Sequence, residues 1–392
     1  MKSIIKTKAK AKAKAKNMMK ISKQAITQFF TLFVFVALSL QVNASVSKKV
    51  LMIVSGYGQQ QGEEKPGYEF NEFAKAYTVF KNNGISVDIA SPNGGKVEAD
   101  KYDAKKSYNA SVLADKAIMA KLNNTLSTKN IDAKSYDAIF IVGGKGAMFD
   151  LPKDNALQSV IADIYQQNGT VAAVCHGPAA LVDVKLKDGS YLVANKTING
   201  FTNKEEKLFG KKWLSKFEFM LEDKLTERGA NFQSSEIMLS HVAVDERLIT
   251  GQNPTSTVDV ATELVKSLGL MPVSAVKDIE DNTMAVIAKY LSGDKSALKA
   301  ITDTPEQYHI SLAGMYGFYY LKSAENNAQF ENSLALMMLA QKAINNPTLD
   351  MKIAKTQHKL GKNQDAENTL KQLLASKPDH KPALEMLKTL SL

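Results

Sequence analysis

Apolar residues in this chain follow two rhythms. Short unbroken apolar runs occur at "KKVLMIVSG" (48–56), "ISVDIAS" (85–91), "YDAIFIVGG" (136–144), "TVAAVC" (170–175) and "RLITG" (247–251). Runs of this kind predict strands buried on both faces. Between them lie stretches with apolar residues three and four apart. "EFNEFAKAYTVFKNNG" (69–84) places Phe70, Phe73, Ala74, Tyr77 and Phe80 on one helical face and stops at Asn-Asn-Gly. "NALQSVIADIYQQNG" (155–169) and "TSTVDVATELVKSLG" (255–269) repeat the pattern. Strands alternating with helices predict an α/β fold, a parallel sheet sandwiched by helices.

Past "GLMPVSAVKD" (269–278) the strand rhythm stops, and from about Glu280 to Leu392 only helical spacing remains. Within it, "MKIAKTQHKLGKNQDAENTLKQLLASKPDH" (351–380) resembles a tetratricopeptide unit, with Gly361 at the turn, Ala366 as a small packing residue and Pro378 closing. Pro347 lies 31 residues before Pro378, near the repeat's period of about 34. The expectation is an α/β domain over 45–271 and an all-α helical-repeat domain over 272–392. The second is expected to bind a protein partner or a neighbouring subunit rather than build the active site.

Charge changes the picture at the N-terminus. The chain of 392 residues carries a formal charge of +10. Residues 1–44 hold nine lysines and no acid, and without them 41 basic residues face 40 acidic ones. No basic footprint for nucleic acid survives. The lysine run, the apolar "FFTLFVFVALSL" (29–40) and "VNA" (42–44) read instead as a signal peptide cleaved before Ser45. Twelve apolar residues fall short of the roughly 20 that span a bilayer. The protein is expected to be exported, periplasmic or secreted, with no membrane span once the signal is removed. Translation starting at Met18 or Met19 would give a leader of ordinary length.

One cysteine serves the whole chain, and it stands in "VAAVCHGPAAL" (171–181), next to a histidine. A single thiol in an exported protein forms no internal disulfide, so it is either inert or reactive. The strand "TVAAV" leads into "GPAALV", with Pro178 at a first-turn position of an expected helix. Cys175 then sits on a sharp strand-to-helix elbow at the carboxyl edge of a parallel sheet, where open α/β folds place ligands. A helix N-terminus there is expected to lower the thiol pKa below its free value of about 8.5. No "GxGxxG" follows the first strand, no His/Cys cluster suits zinc, and no cofactor is expected.

"AAVCHGPAAL" resembles the elbow of the PfpI-type, glutamine-amidotransferase-like superfamily, in the branch with glyoxalase III enzymes of the heat-shock chaperone type. "PGYEFNEF", "GGKGAMFDLP", "INGFTNKEE" and "RLITGQNPTS" match further motifs in order, across roughly Lys48 to Leu268. The resemblance implies a flavodoxin-like sheet and a catalytic set of Cys175, His176, Glu206 as triad acid and Glu72 as a buried glutamate. Glu205 is the rival to Glu206. Backbone N–H groups of Gly144 and His176 would form an oxyanion hole. Lys145 stands where the branch often has histidine, at the pocket mouth. The elbow does not read "CxGxQ", which argues against amidotransferase chemistry.

The resemblance implies a cofactor-independent enzyme that takes methylglyoxal, a small dicarbonyl, to lactate. Its possible states include a homodimer. Two other readings stay open. One is a cysteine peptidase or amidase of the same fold. The other is a holdase chaperone of the cell envelope.

Overall fold

A computed structural model describes residues 48–275 and 277–390, together with Lys12. Apart from Lys12, the expected leader lies outside the described residues. From Lys48 onward the chain forms one compact unit.

Five strands carry the sheet: β1 (Lys49–Ile53), β2 (Ser86–Ser91), β4 (Ala138–Ile141), β5 (Thr170–Val174) and β9 (Leu248–Gly251). A two-residue β3 (Leu126–Ser127) extends one edge, and β8 (Val242–Asp245) extends the other. The order is β3-β2-β1-β4-β5-β9-β8. Every neighbouring pair is parallel except β8 against β9. All residues of β4 and β5 are buried, which is why these strands read as unbroken apolar runs. The antiparallel edge strand β8 and a separate two-stranded sheet, β6 (Thr197–Ile198) with β7 (Asn231–Phe232), have no comparable signal in the sequence.

Helix α1 (Phe70–Asn82) covers the sheet with Phe70, Phe73 and Phe80, and Glu69 caps it by accepting from Asn71 N–H. Next along the chain come α2 (Ser107–Ala114), α3 (Lys116–Leu122) and α4 (Ala147–Asp150), then α5 (Asn155–Gln166), α6 (Asn203–Phe209), α7 (Leu221–Glu227) and α8 (Thr257–Ser267). Apolar faces of α5 and α8 complete the core beside β5.

Seven more helices among the described residues make up the tail: α9 (Ile279–Leu291), α10 (Lys299–Asp303), α11 (Ile310–Ser323), α12 (Asn327–Ile344), α13 (Pro347–Lys359), α14 (Asn363–Ser376) and α15 (Lys381–Leu390). Gly361 turns between α13 and α14 at φ +75°, and Ala366 is fully buried. The first of these helices pack on the α/β part. Ile237 and Leu239 share one apolar core with Met284, Ile287, Ile301, Tyr316, Tyr320 and Leu336. Lys75 on α1 pairs with Asp278 (3.3 Å) and Asp281 (2.7 Å), and Lys106 pairs with Glu280 (2.7 Å). Tyr320 donates its hydroxyl to Glu236 (2.8 Å). The sequence pattern showed apolar spacing in the tail but could not show that its first helices spend it on the α/β surface. Among the described residues no helix is long and apolar enough to cross a membrane.

Candidate active site

β5 ends at Val174, and Cys175 N–H still donates to Gly251 O of β9 (2.9 Å). The chain then turns hard: Cys175 has φ 60°, the left-handed region that a non-glycine residue adopts at a cost. Beyond His176 the backbone forms a five-residue 3-10 turn, Gly177–Leu181, and not the α-helix expected. Pro178 supplies no N–H and the turn is short, so no helix macrodipole of consequence points at the sulfur.

The elbow holds the thiol among three groups. His176 Nδ1 lies 3.3 Å from Cys175 Sγ. The Gly144 N–H and the Glu72 carboxyl lie close enough to the sulfur to act on its ionisation. On the far side of the imidazole, His176 Nε2 meets Glu206 Oε2 at 2.6 Å. With Glu206 Oε2 as acceptor, Nε2 donates and Nδ1 is left to offer its lone pair to the S–H. Phe201 packs on the imidazole with ring centroids 4.5 Å apart. All five residues singled out from the sequence therefore converge on one point.

Two glycines make that convergence possible. A Cβ on Gly143 would lie 2.7 Å from both Cys175 Cβ and Glu72 Oε2. Its N–H donates to Glu72 Oε2 (2.7 Å). A Cβ on Gly210 would overlap Glu206 Oε1. Gly210 escaped the sequence reading because a glycine closing a helix looks like an ordinary cap.

Adjacent glutamates on α6 part company. Glu206 faces His176. Glu205 is fully buried and accepts five hydrogen bonds: Oε1 from Met238 N–H (2.7 Å), Gln252 Nε2 (3.0 Å) and Asn253 Nδ2 (2.9 Å), and Oε2 from Thr202 N–H (3.0 Å) and Oγ1 (2.9 Å). It is a structural hub, tying α6 to the segment after β9.

Burial pushes the Glu72 carboxyl well above the ordinary carboxylate range, and Glu69 adds to the rise. Burial also pushes the Cys175 thiol up, by more than Lys145 and the Gly144 N–H lower it. The sequence expectation of a lowered thiol pKa is thus reversed. Desolvation outweighs the two stabilising groups, and the helix terminus invoked for it is absent. A thiol kept protonated needs a base in contact, and His176 Nδ1 is so placed.

A neutral Glu72 has a testable consequence. Glu72→Gln preserves shape and removes only the capacity to ionise. It should leave the pH midpoint of Cys175 alkylation by iodoacetamide within about half a unit of wild type. A fall of a unit or more would show that Glu72 is ionised and repels the thiolate.

An aromatic cluster extends from the imidazole. Phe217 faces His176 at 6.2 Å between ring centroids, Phe149 meets Phe217 (5.4 Å) and Trp213 (6.2 Å), and Tyr57 stacks on Phe149 (4.6 Å). Asp150 anchors the loop after β1 by accepting from Ser55 Oγ and Gly56 N–H, and burial lifts its pKa to about 6. The segment carrying Trp213 and Phe217 has no regular spacing, so no local pattern in the sequence places it here. Among the described residues no cluster of three or more His, Cys, Asp and Glu is placed to hold a metal ion.

Residues 64–267 match the family model described as the DJ-1/PfpI family. The chain belongs to the DJ-1/PfpI family. Within it, the glutathione-independent glyoxalase hsp3102 of Schizosaccharomyces pombe is 32% identical over 235 residues, 56% of this chain and 98% of the relative. The glutathione-independent glyoxalase HSP31 of Saccharomyces cerevisiae is 32% identical over 235 residues, with the same coverage. Among solved structures, the 24 kDa rapid encystment protein of Francisella tularensis superposes with a TM-score of 0.53 at 35% identity. It covers 56% of this chain and 99% of its own. Glyoxalase III of Candida albicans superposes at 0.52 with 24% identity, covers 56% of this chain and 97% of its own, and supports the fold. These DJ-1/PfpI relatives each match little more than half of the chain, and the family model stops at residue 267, short of helices α9 to α15.

Proposed function

We propose that this DJ-1/PfpI protein is a cofactor-independent glyoxalase that converts methylglyoxal to lactate through Cys175. The observation carrying the reading is the chain of contacts Sγ···Nδ1 (3.3 Å) and Nε2···Oε2 (2.6 Å) beside the buried Glu72, whose carboxyl burial holds well above the ordinary range. The naming of relatives as glutathione-independent glyoxalases supports the same reaction class.

His176 takes the S–H proton as sulfur attacks the aldehyde carbon C1. A C–S bond forms, and the carbonyl electrons move to oxygen, which is protonated to give a hemithioacetal. Gly144 N–H, and in this proposal His176 N–H, stabilise the developing oxyanion. The C1 proton then leaves to a base and the C2 oxygen gains one, giving an enediol. Glu72, neutral and within reach of the sulfur, is the donor and the Glu72–His176 pair the shuttle. Reprotonation at C2 leaves a thioester, which water hydrolyses to lactate with return of the thiol. No electrons enter or leave.

Export to the periplasm or medium stays part of the proposal, supported by the lysine run and apolar stretch ahead of Ser45. The division at about residue 271 and the tetratricopeptide character of α13 and α14 are likewise proposed, supported by the match ending at residue 267 and by the turn at Gly361.

The test gives wild-type protein methylglyoxal without glutathione or added metal, and separately fluorogenic peptide amides. Lactate formation with no amide cleavage is the expected result. Amide cleavage without methylglyoxal loss would shift the assignment to a peptidase.

A further inference from the structure

Between the tail and helix α1 lies an open-sided cleft of about 420 Å³, within the range of small-molecule sites, which favour seams of this kind. We infer that it is a ligand pocket for an uncharged, largely apolar small molecule, separate from the cysteine site. Its walls come from both parts of the chain. Asn71, Glu72 and Lys75 contribute from α1, and Met284, Leu312 and Tyr319 from α9 and α11.

Charge selects the occupant. Four of the charged side chains at the lining are already paired: Lys75 with Asp281 (2.7 Å) and with Asp278 behind it (3.3 Å), and Lys106 with Glu280 (2.7 Å), while the Glu72 carboxyl accepts from Gly143 N–H. A charged ligand would have to break one of these pairs or enter without a partner, and either costs more than it returns. An uncharged molecule leaves them intact and gains the apolar walls. Met238, Met284 and Met315 line the cavity, and methionine adapts to an irregular occupant. Met315 is 53% exposed at the edge, an apolar side chain left in solvent beside an apolar cavity.

Cys175 does not line this cavity. Glu72 belongs to its wall, yet the Glu72 carboxyl turns to Gly143 N–H and the sulfur. An occupant therefore rests on the helix that positions Glu72 without meeting the nucleophile.

The experiment titrates the full chain with Prodan, an uncharged two-ring dye whose emission shifts to the blue in apolar surroundings. Saturation at one dye per chain is expected. Leu312→Trp, which fills the cavity, and Met315→Trp, on an exposed position that tolerates a larger side chain, should each weaken binding by about tenfold or more. An anionic naphthalene sulfonate should bind at least about tenfold more weakly than Prodan. Binding that does not saturate, wild-type affinity in both variants, or equal affinity for the anionic dye would overturn the inference.

Discussion

Glu206→Gln will lower methylglyoxal turnover by roughly two to four orders of magnitude while leaving the melting temperature close to wild type. Glu206 touches His176 Nε2 at 2.6 Å. An ionised carboxylate there fixes the imidazole with its proton on Nε2 and stabilises the imidazolium formed when the thiol gives up its proton. An amide offers a donor as readily as an acceptor, so the imidazole can present its proton, and not its lone pair, to sulfur. In serine triads the corresponding loss reaches about 10⁴. Glu205→Gln should fail differently. Glu205 accepts five hydrogen bonds in a fully buried position. One amide oxygen cannot replace two carboxylate oxygens, and the new N–H₂ would face donors. A stability loss of about 3 kcal/mol or more is expected. Steady-state kinetics beside thermal melts separate the two. Equal kinetic losses at matched stability would leave the triad acid unassigned.

A chain ending after Leu270 will aggregate or melt far below the full protein. The truncation uncovers Ile237 and Leu239, now 1% and 7% exposed, together with partly buried Leu208 and Met238. Each large side chain returned to water costs about 1.5–3 kcal/mol, against a total stability of roughly 5–15 kcal/mol for an ordinary domain. The pairs from Lys75 and Lys106 to the tail go as well. Size-exclusion chromatography with a thermal melt is the check. A soluble, monodisperse truncation with a reactive Cys175 would restore the independent tail that the sequence suggested.

The contrast between those two cases shows what the sequence could carry. The buried strands were legible because unbroken apolar runs have few other uses. The cysteine elbow was legible because Cys-His-Gly-Pro at a strand end is a rare local arrangement, and the motifs around it pointed to Glu72 and Glu206, which the fold brings beside the sulfur and the imidazole. Choosing Glu206 over Glu205 leaned on the resemblance, since neighbouring acids on one helix differ only in direction. Three features stayed hidden for physical reasons. The thiol environment depends on desolvation, which is a property of the assembled core. Phe217 and Gly210 act through contacts across the fold without any local spacing. Docking of the tail rests on Ile237 and Leu239, whose short segment between β7 and β8 has neither strand nor helix periodicity.

The most direct measurement follows methylglyoxal loss and lactate formation by the full chain, wild type beside Cys175→Ala, in glutathione-free buffer. Lactate is expected from the wild type and none above the uncatalysed rate from Cys175→Ala, with both proteins melting alike. Lactate formed at equal rates by the two would contradict Cys175 as the nucleophile.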